Sequence, residues 1–284
     1  MLHIKNILFP IDFSERCCAA VPFVDAMARR YGAKITMFSV SEAVFYSTIG
    51  DPGGPVIINA EETLNDLKAR LDGALRSEFC GLQVERLAEL GDPATLIADL
   101  VYSHDIDLIM MPTHGYGRFR RLLLGSVTAK VLHDVRIPVW TAAHRPDLMA
   151  AGHLPCRSVL CAIDGGPATG DLLSWAGRFA KDAAATLRLV HVLPGMEDFP
   201  SPQHQEEERE RAREKIGRLM GELELEAPLS IVFARVPQGV CNEAALRASD
   251  LVVIGRGVMN EKLGRLRTDA YGIIRESPCP VLSV

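Results

Sequence analysis

The residues best suited to chemistry lie in a glycine-bearing segment of the first half of the chain. Nine residues separate Gly115 from Gly125, and Ser126 follows directly. Glycine lets backbone N–H groups approach an anion closely, and a Gly-Ser pair opening a helix adds the first helical amides and a hydroxyl. The spacing therefore predicts an anion site, although such a loop, taken alone, is also typical of a plain turn.

The elements around this segment are expected to bring other residues to the same place. Asp12 ends a first short apolar run, Val40 ends a second, and Met111 ends the run just before the glycine-bearing segment. Apolar runs without polar alternation are typical of strands buried on both faces of a parallel sheet. Ligands of such open sheets bind beyond the carboxyl ends of the strands, where the strand order reverses, so we expect these residues to meet in one crevice.

The two halves of the chain repeat each other, which sets the domain organisation. Four segments recur in the same order: 6–12 with 158–164, 34–40 with 186–192, 107–111 with 250–254, and 137–140 with 279–282. Helical stretches separate the runs. We predict an α/β protein of two tandem doubly wound, Rossmann-like domains, 1–143 and 154–284. Each is expected to have a five-stranded, mostly parallel sheet flanked by helices.

Composition narrows the classes of function. The 284 residues are 48% hydrophobic and 24% charged, as in an ordinary globular protein, and the net charge of −5 argues against nucleic acid. No apolar run approaches the ~20 residues of a membrane span. Asp12 comes too early for a secretory signal. Seven scattered cysteines without a C-x-x-C pair indicate mostly buried thiols, no metal site and a cytoplasmic location.

The run from Asp107 to Val139 resembles the signature of the universal stress protein family. Nucleotide-binding members of that family carry Gly-x-x-Gly, nine residues, then Gly-Ser or Gly-Thr. Gly115, Gly125 and Ser126 match the latter part of this pattern, whereas Pro112 occupies the first glycine position. The resemblance extends over both halves, so the whole chain is identified as a tandem member.

The resemblance implies that the first domain binds ATP, or ADP or AMP, with or without Mg²⁺. Adenine and ribose would face Asp12 and Val40, and the backbone of Met111 would lie alongside. The phosphates would be held by Gly115, Gly125, Ser126 and Val127. Pro112 has no N–H to donate to this loop. The alternative is therefore a nucleotide-free scaffold or small-ligand carrier with a degenerate site.

The second domain departs further from the family pattern. Arg267 and Thr268 replace the Gly-Ser pair, and Asp269 follows them. A carboxylate at a helix start repels phosphate, so we expect no triphosphate in this half. Arg256, Arg265 and Arg267 either bind another anion or only solvate the surface.

The sequence favours a binding and regulatory protein over an enzyme. It has neither the Gly-Lys-Ser/Thr ending of a P-loop nor a convincing general base, so catalysis is limited to weak ATP hydrolysis or self-phosphorylation. Cys17 and Cys18 follow the start of a helix, where the dipole lowers a thiol pKa, but ordinary packing is the default expectation.

The last strand of each half, around Val139 and Val281, is an uncovered edge that we expect to pair with the other. This pairing would make an internal pseudo-dimer. A homodimer of whole chains and an unidentified protein partner are further expectations.

Overall fold

The computed structural model describes residues 1–42, 60–113, 124–142, 155–195, 201–256 and 264–284, with backbone alone for 264–268. The elements of the first domain are β1 (Asn6–Pro10), α1 (Glu15–Tyr31), β2 (Lys34–Ser41), α2 (Ala60–Gly73), β3 (Val84–Leu90), α3 (Pro93–Ser103), β4 (Leu108–Met111), α4 (Ser126–Asp134) and β5 (Val139–Thr141). Those of the second are β6 (Ser158–Ile163), α5 (Thr169–Ala183), β7 (Thr186–Leu193), α6 (Pro202–Glu222), β8 (Leu229–Phe233), α7 (Val236–Leu246), β9 (Leu251–Ile254), α8 (Gly264–Glu276) and β10 (Val281–Ser283).

The two domains form one continuous sheet. Its strand order is β3-β2-β1-β4-β5-β10-β9-β6-β7-β8, with parallel pairing inside each half. Each half is therefore a doubly wound five-stranded sheet whose order reverses between its first and fourth strands, as the sequence predicts. β5 and β10 pair antiparallel, which confirms the predicted pairing of the two last strands.

Local sequence signals explain where the helices begin and end. Ser14 precedes α1 and accepts a hydrogen bond from the amide of Cys17, which satisfies one of the orphan donors of the first turn. Gly32 ends the same helix at φ +61°, a left-handed conformation that glycine adopts without a steric penalty. The strands they flank are buried on both faces, as in β4 and β9, where every residue is buried.

The junction between the domains is packed like a core. Trp140 in β5 lies opposite Leu282 in β10, and both side chains are buried. The Trp140 ring packs against Phe23 of α1 with centroids 5.1 Å apart. Burial of this much apolar area makes the two domains one packed unit.

Polar contacts from the second domain also reach α4. The Tyr271 hydroxyl donates to the Ala129 carbonyl at 3.1 Å. The half-buried Arg256 guanidinium donates to the carbonyls of Val135, at 2.8 Å, and of Ile137. These carbonyls follow the last turn of α4, where cations are favoured. Arg256 is thus an interdomain contact.

The antiparallel junction fixes where the two crevices open. Strands of the first half run in one direction and those of the second half in the other. The carboxyl ends of the two sets of strands therefore lie at opposite edges of the sheet, and each domain has its crevice at its own edge.

All seven cysteines are free, and Cys17, Cys161, Cys241 and Cys279 are buried, which confirms the expectation of mostly buried thiols. Burial raises the pKa of Cys17 to about 12, so the helix dipole does not activate this thiol. Cys18 is exposed, so the packing expectation is correct for Cys17 and wrong for Cys18. Among the helices that the structure describes, none has both the length and the apolar character needed to span a bilayer.

Candidate functional site

A cavity of about 140 Å³ lies at the carboxyl ends of β1, β2 and β4 in the first domain. Asp12, Val40, Met111 and Val127, four residues named from the sequence, all line it. The complete lining is Pro10, Ile11, Asp12, Phe38, Val40, Pro93, Ile97, Met111, Pro112, Val127 and Thr128. The structure therefore brings these predicted residues together at the point where the strand order reverses. We call this cavity the first crevice.

A local turn orients the Asp12 carboxylate. Its Oδ1 accepts hydrogen bonds from the Ser14 amide at 3.0 Å and from the Ser14 hydroxyl at 2.7 Å. The same Ser14 caps α1, so the strand end, the turn and the helix start form one hydrogen-bonded unit. The half-buried carboxylate is held in place before any ligand arrives.

The start of α4 borders the first crevice, where Val127 and Thr128 line the cavity. Gly125 caps this helix without a side-chain hydrogen bond, so its first-turn amides are not occupied by a capping side chain. The Gly125 amide donates to the Thr113 carbonyl at 3.0 Å, and the Thr128 hydroxyl donates to the Pro112 carbonyl at 3.1 Å. Gly115 lies in 114–123, outside the described residues.

Pro112 has a structural role that its sequence position alone does not reveal. Its carbonyl accepts the Thr128 hydrogen bond, and the residue is part of the cavity lining. The residue therefore anchors α4 through its C=O although it has no N–H to offer.

α3 and α4 are tied together beside the first crevice. The Asp92 carboxylate caps α3 by accepting from the Thr95 amide at 2.9 Å, and it accepts from Lys130 Nζ of α4 at 2.8 Å. The Lys130 hydrogen bond, followed by those from Thr95, holds the pKa of Asp92 well below its usual range. The Asp-Pro pair at 92–93 is a recognisable helix start, and it carries Pro93 into the lining.

The second domain has a larger cavity at its own edge of the sheet. This second crevice has a volume of about 370 Å³. Through the register of the repeat, its residues match the lining of the first crevice position by position: Ala162, Ile163, Asp164, Val190, Val192, Val236, Val240, Ile254, Gly255, Asp269 and Ala270. It extends further over Ala168, Thr169, Leu172, His191, Leu193, Pro194 and Ile273.

Smaller side chains explain the difference in volume. Val190 stands where the first domain has Phe38, and Ala270 stands where it has Thr128. Gly255 stands where the first domain has Pro112 and leaves the space of a side chain open. A Cβ added at Gly255 would lie 3.5 Å from Leu172, which is an ordinary van der Waals contact. The three exchanges lie on separate elements of the lining, and the cavity in the second domain also extends over Ala168, Thr169 and Leu172 at the start of α5.

The polar groups of the second crevice are mainly hydrogen-bond acceptors. Asp164 repeats the turn of Asp12, its Oδ1 accepting from the Gly166 amide at 2.8 Å and the Thr169 hydroxyl at 3.1 Å. The His191 ring donates from Nδ1 to the Ile163 carbonyl at 2.8 Å, which leaves Nε2 an acceptor in the neutral ring. Asp269 replaces Val127 of the first domain, and burial raises the pKa of its carboxyl.

One detail differs from the expectation for this carboxylate. α8 begins at Gly264, so Asp269 lies in its second turn and not at its start. In the first domain Gly125 caps α4 at the equivalent place. Arg267 and Thr268 have a higher helix propensity than glycine, so α8 can begin before them.

No group of three or more His, Cys, Asp or Glu side chains in the described part of the chain is placed to hold a metal ion. Among the described lining residues of the first crevice, Asp12 carries the carboxylate.

Comparison with known proteins defines the family. The model of the universal stress protein family matches the chain twice, over residues 3–142 and 155–284. The chain therefore belongs to the universal stress protein family and carries two copies of its domain. Members of this family are generally stress proteins without enzymatic activity.

Individual relatives match one domain or both. A universal stress protein of Methanocaldococcus jannaschii is 27% identical over 151 residues, which is 48% of this chain and 92% of that protein. One from Thermus aquaticus is 31% identical over 141 residues, 48% of this chain and 96% of that protein. The solved universal stress protein of Archaeoglobus fulgidus superposes with a TM-score of 0.69 at 19% identity, covering 98% of this chain and 95% of its own. That likeness supports the fold of the complete tandem chain.

Proposed function

We propose that the first domain binds an adenine nucleotide, ATP or its diphosphate or monophosphate, and that the bound nucleotide acts as a regulatory switch. The observation that carries this proposal is the start of α4, capped only by Gly125, beside a cavity lined by Asp12, Val40, Met111 and Val127. Site residues at these positions are also what the family resemblance implies.

The chemistry of the first crevice suits the parts of a nucleotide. Its largely apolar walls, Val40 and Met111 among them, offer a surface for a flat base. The Asp12 carboxylate can accept hydrogen bonds from ribose hydroxyls. The first amides of α4, together with the Ser126 hydroxyl and the Gly115 backbone, would hold phosphate oxygens at the positive end of the helix dipole. If Mg²⁺ accompanies the phosphates, Asp12 is the candidate carboxylate.

The connections of α4 support a role as a switch. The loop that would close on the phosphates is joined to α4 through the carbonyls of Pro112 and Thr113. The Val135 carbonyl, directly after the same helix, accepts a hydrogen bond from Arg256 of the second domain. A nucleotide that shifts α4 by a small amount would therefore alter a contact between domains, and with it the surface offered to a protein partner.

Two measurements test the proposal. Mass spectrometry of the freshly purified, denatured protein detects any co-purifying nucleotide, and calorimetric titration with ATP and AMP then measures binding. We expect one nucleotide per chain. Gly125 has φ −59°, which any residue adopts, so Gly125→Leu should keep the fold and crowd the phosphates. Arg267→Leu, at the equivalent position of the second domain, is the matched control and should bind as the unchanged protein does.

The alternative is a nucleotide-free scaffold or small-ligand carrier, favoured by Pro112 in place of the first family glycine. Absence of nucleotide and of heat on titration would overturn the nucleotide proposal and leave this alternative. In either case we propose a cytoplasmic protein whose catalysis does not go beyond weak ATP hydrolysis or self-phosphorylation. We also propose that whole chains form a homodimer, which analytical sedimentation would detect.

A further inference from the structure

We propose that the second crevice binds a small organic amine, with an apolar body that fills the cavity and a protonated amino group that pairs with Asp269. Asp164 at the rim adds to the negative potential of the site. The proposal concerns a different domain and a different ligand from the nucleotide site, and it does not depend on that site.

The size and walls of the cavity define the apolar body. Its volume of about 370 Å³ falls within the range of small-molecule sites, whereas the equivalent first crevice has only about 140 Å³. Val190, Val240, Ile254 and Leu172 supply an aliphatic lining. Transfer of an aromatic or aliphatic group from water to these walls is favourable in proportion to the apolar area covered.

The charged groups define the head of the ligand. Within the described part of the lining, the charged residues are Asp164 and Asp269, with no lysine or arginine among them. Asp269 takes the place of the neutral Val127 of the first domain, so this negative charge is specific to the second crevice. A partly buried carboxylate attracts a cation and repels a phosphate or carboxylate ligand.

Two described cations in the neighbourhood of the second crevice do not neutralise it. Arg256 follows the lining residue Gly255, but its guanidinium is turned toward the carbonyls of Val135 and Ile137 in the first domain. Lys215 Nζ lies 3.7 Å from the position that a Cβ on Gly165 would take, and the lysine is exposed. Solvent and salt screen such an exposed charge far more than a partly buried one.

The remaining polar lining also favours a donor group on the ligand. His191 is buried and uses Nδ1 to donate to the Ile163 carbonyl, so in the neutral form of the ring Nε2 is an acceptor. Asp164 is likewise an acceptor. An amine with several N–H groups matches acceptors better than an oxyanion, which has none to donate.

Three probes with one naphthalene skeleton test the proposal on the full chain: 1-naphthylmethylamine, 1-naphthalenemethanol and 1-naphthoate. Titrations at neutral pH, followed by calorimetry or ligand-detected NMR, should give the tightest binding for the amine, weaker binding for the alcohol and the weakest for the carboxylate. Equal binding of amine and alcohol, preferential binding of the carboxylate, or no binding of any probe would each overturn it.

Variants locate the binding and separate charge from shape. Asp269→Asn keeps the shape and should weaken amine binding roughly three- to tenfold while leaving the alcohol unchanged. Val190→Phe and Ala270→Thr install bulkier residues of the first domain and should weaken all probes that bind. Asp99→Asn, an exposed charge change on α3, is the matched control and should have no effect.

Two controls keep the outcomes distinct. Thermal unfolding monitored by circular dichroism identifies any variant that does not fold. If Val190→Phe does not fold, Asp269→Asn, which keeps the side-chain volume, still tests the proposal. ATP titration of the same samples reports separately on the first crevice, at the opposite edge of the sheet. Loss of ATP binding with retained amine preference would contradict the proposed function alone, and the reverse would contradict only this inference.

Discussion

The two crevices of this protein occupy equivalent positions of one repeated fold but differ in volume and charge. In both, the aspartate at the end of the first strand accepts a hydrogen bond from the amide two residues on, that of Ser14 for Asp12 and that of Gly166 for Asp164. The difference comes from a few wall residues, chiefly Val190 in place of Phe38 and Asp269 in place of Val127. The fold therefore determines where a crevice forms, and a few side chains determine its volume and charge.

The largest expected effect is on stability and concerns the β5–β10 junction, which joins the domains that carry the two crevices. Trp140 is buried and packs on Phe23 across from Leu282, so Trp140→Ala should lower the free energy of unfolding by about 3–5 kcal/mol. Urea denaturation, followed by circular dichroism, should show one cooperative transition shifted as a whole. Two separate transitions in the unchanged protein would contradict a single packed unit.

The stability of the whole chain should fall at alkaline pH because of its buried thiols, most of which lie in the second domain. Burial raises the pKa of Cys161, Cys241 and Cys279 to about 12, against about 8.5 for an unfolded thiol. A raised pKa stabilises the folded state below about pH 8.5, and this stabilisation is lost as pH rises toward 12, by about 1.4 kcal/mol per pH unit for each thiol.

Cys161→Ala isolates one of these thiols. Between pH 8.5 and 10 the unchanged protein should lose about 2 kcal/mol more of its unfolding free energy than the variant, measured by urea denaturation at each pH. Parallel pH curves for the two proteins would show that Cys161 titrates normally in the folded state.

Val127→Asp places the carboxylate of the second crevice in the first. An acidic residue in the first turn of α4 is compatible with the helix dipole, so the melting temperature should be unchanged or slightly higher. Its charge should nevertheless weaken ATP binding at least about tenfold, or about 1.4 kcal/mol, by calorimetry. Unchanged affinity would mean that the phosphates do not lie at this helix start. Val127→Asn is the neutral control.

The smallest effect concerns the Lys130–Asp92 contact, which has no equivalent in the second domain, where Gly272 and Arg235 occupy the matching positions. Lys130→Ala should lower the melting temperature slightly at pH 7. Because the pKa of Asp92 is lowered in the folded state, its contribution is present above the unfolded value and is lost as pH falls toward the folded one. The difference between variant and unchanged protein should therefore disappear in acid. Lys68→Ala, an exposed lysine of α2, is the control.

The sequence was sufficient to predict the four repeated strands of each half and the junction, because the repeat keeps its spacing and both-face burial leaves uninterrupted apolar runs. It did not locate β3 and β8, which are half-buried and mix polar with apolar residues. The position of Asp12, Val40 and Met111 in the first crevice could be predicted because each lies at the end of an apolar run. Phe38 was missed although it lies two residues before Val40 and so on the same face of β2. The larger second cavity could not be predicted, since its volume results from small exchanges on separate elements. The start of α8 was expected near Thr268 and lies at Gly264.

Because β5 and β10 pair within one chain, the two crevices can change independently in sequence and are present in equal numbers. In a dimer of identical subunits, every substitution appears in both binding sites, and subunits can exchange between dimers. Here one polypeptide supplies both halves of the sheet, so position 269 can change while position 127 does not. The two unlike sites are always made in equal number, and neither half can be traded for a copy from another molecule.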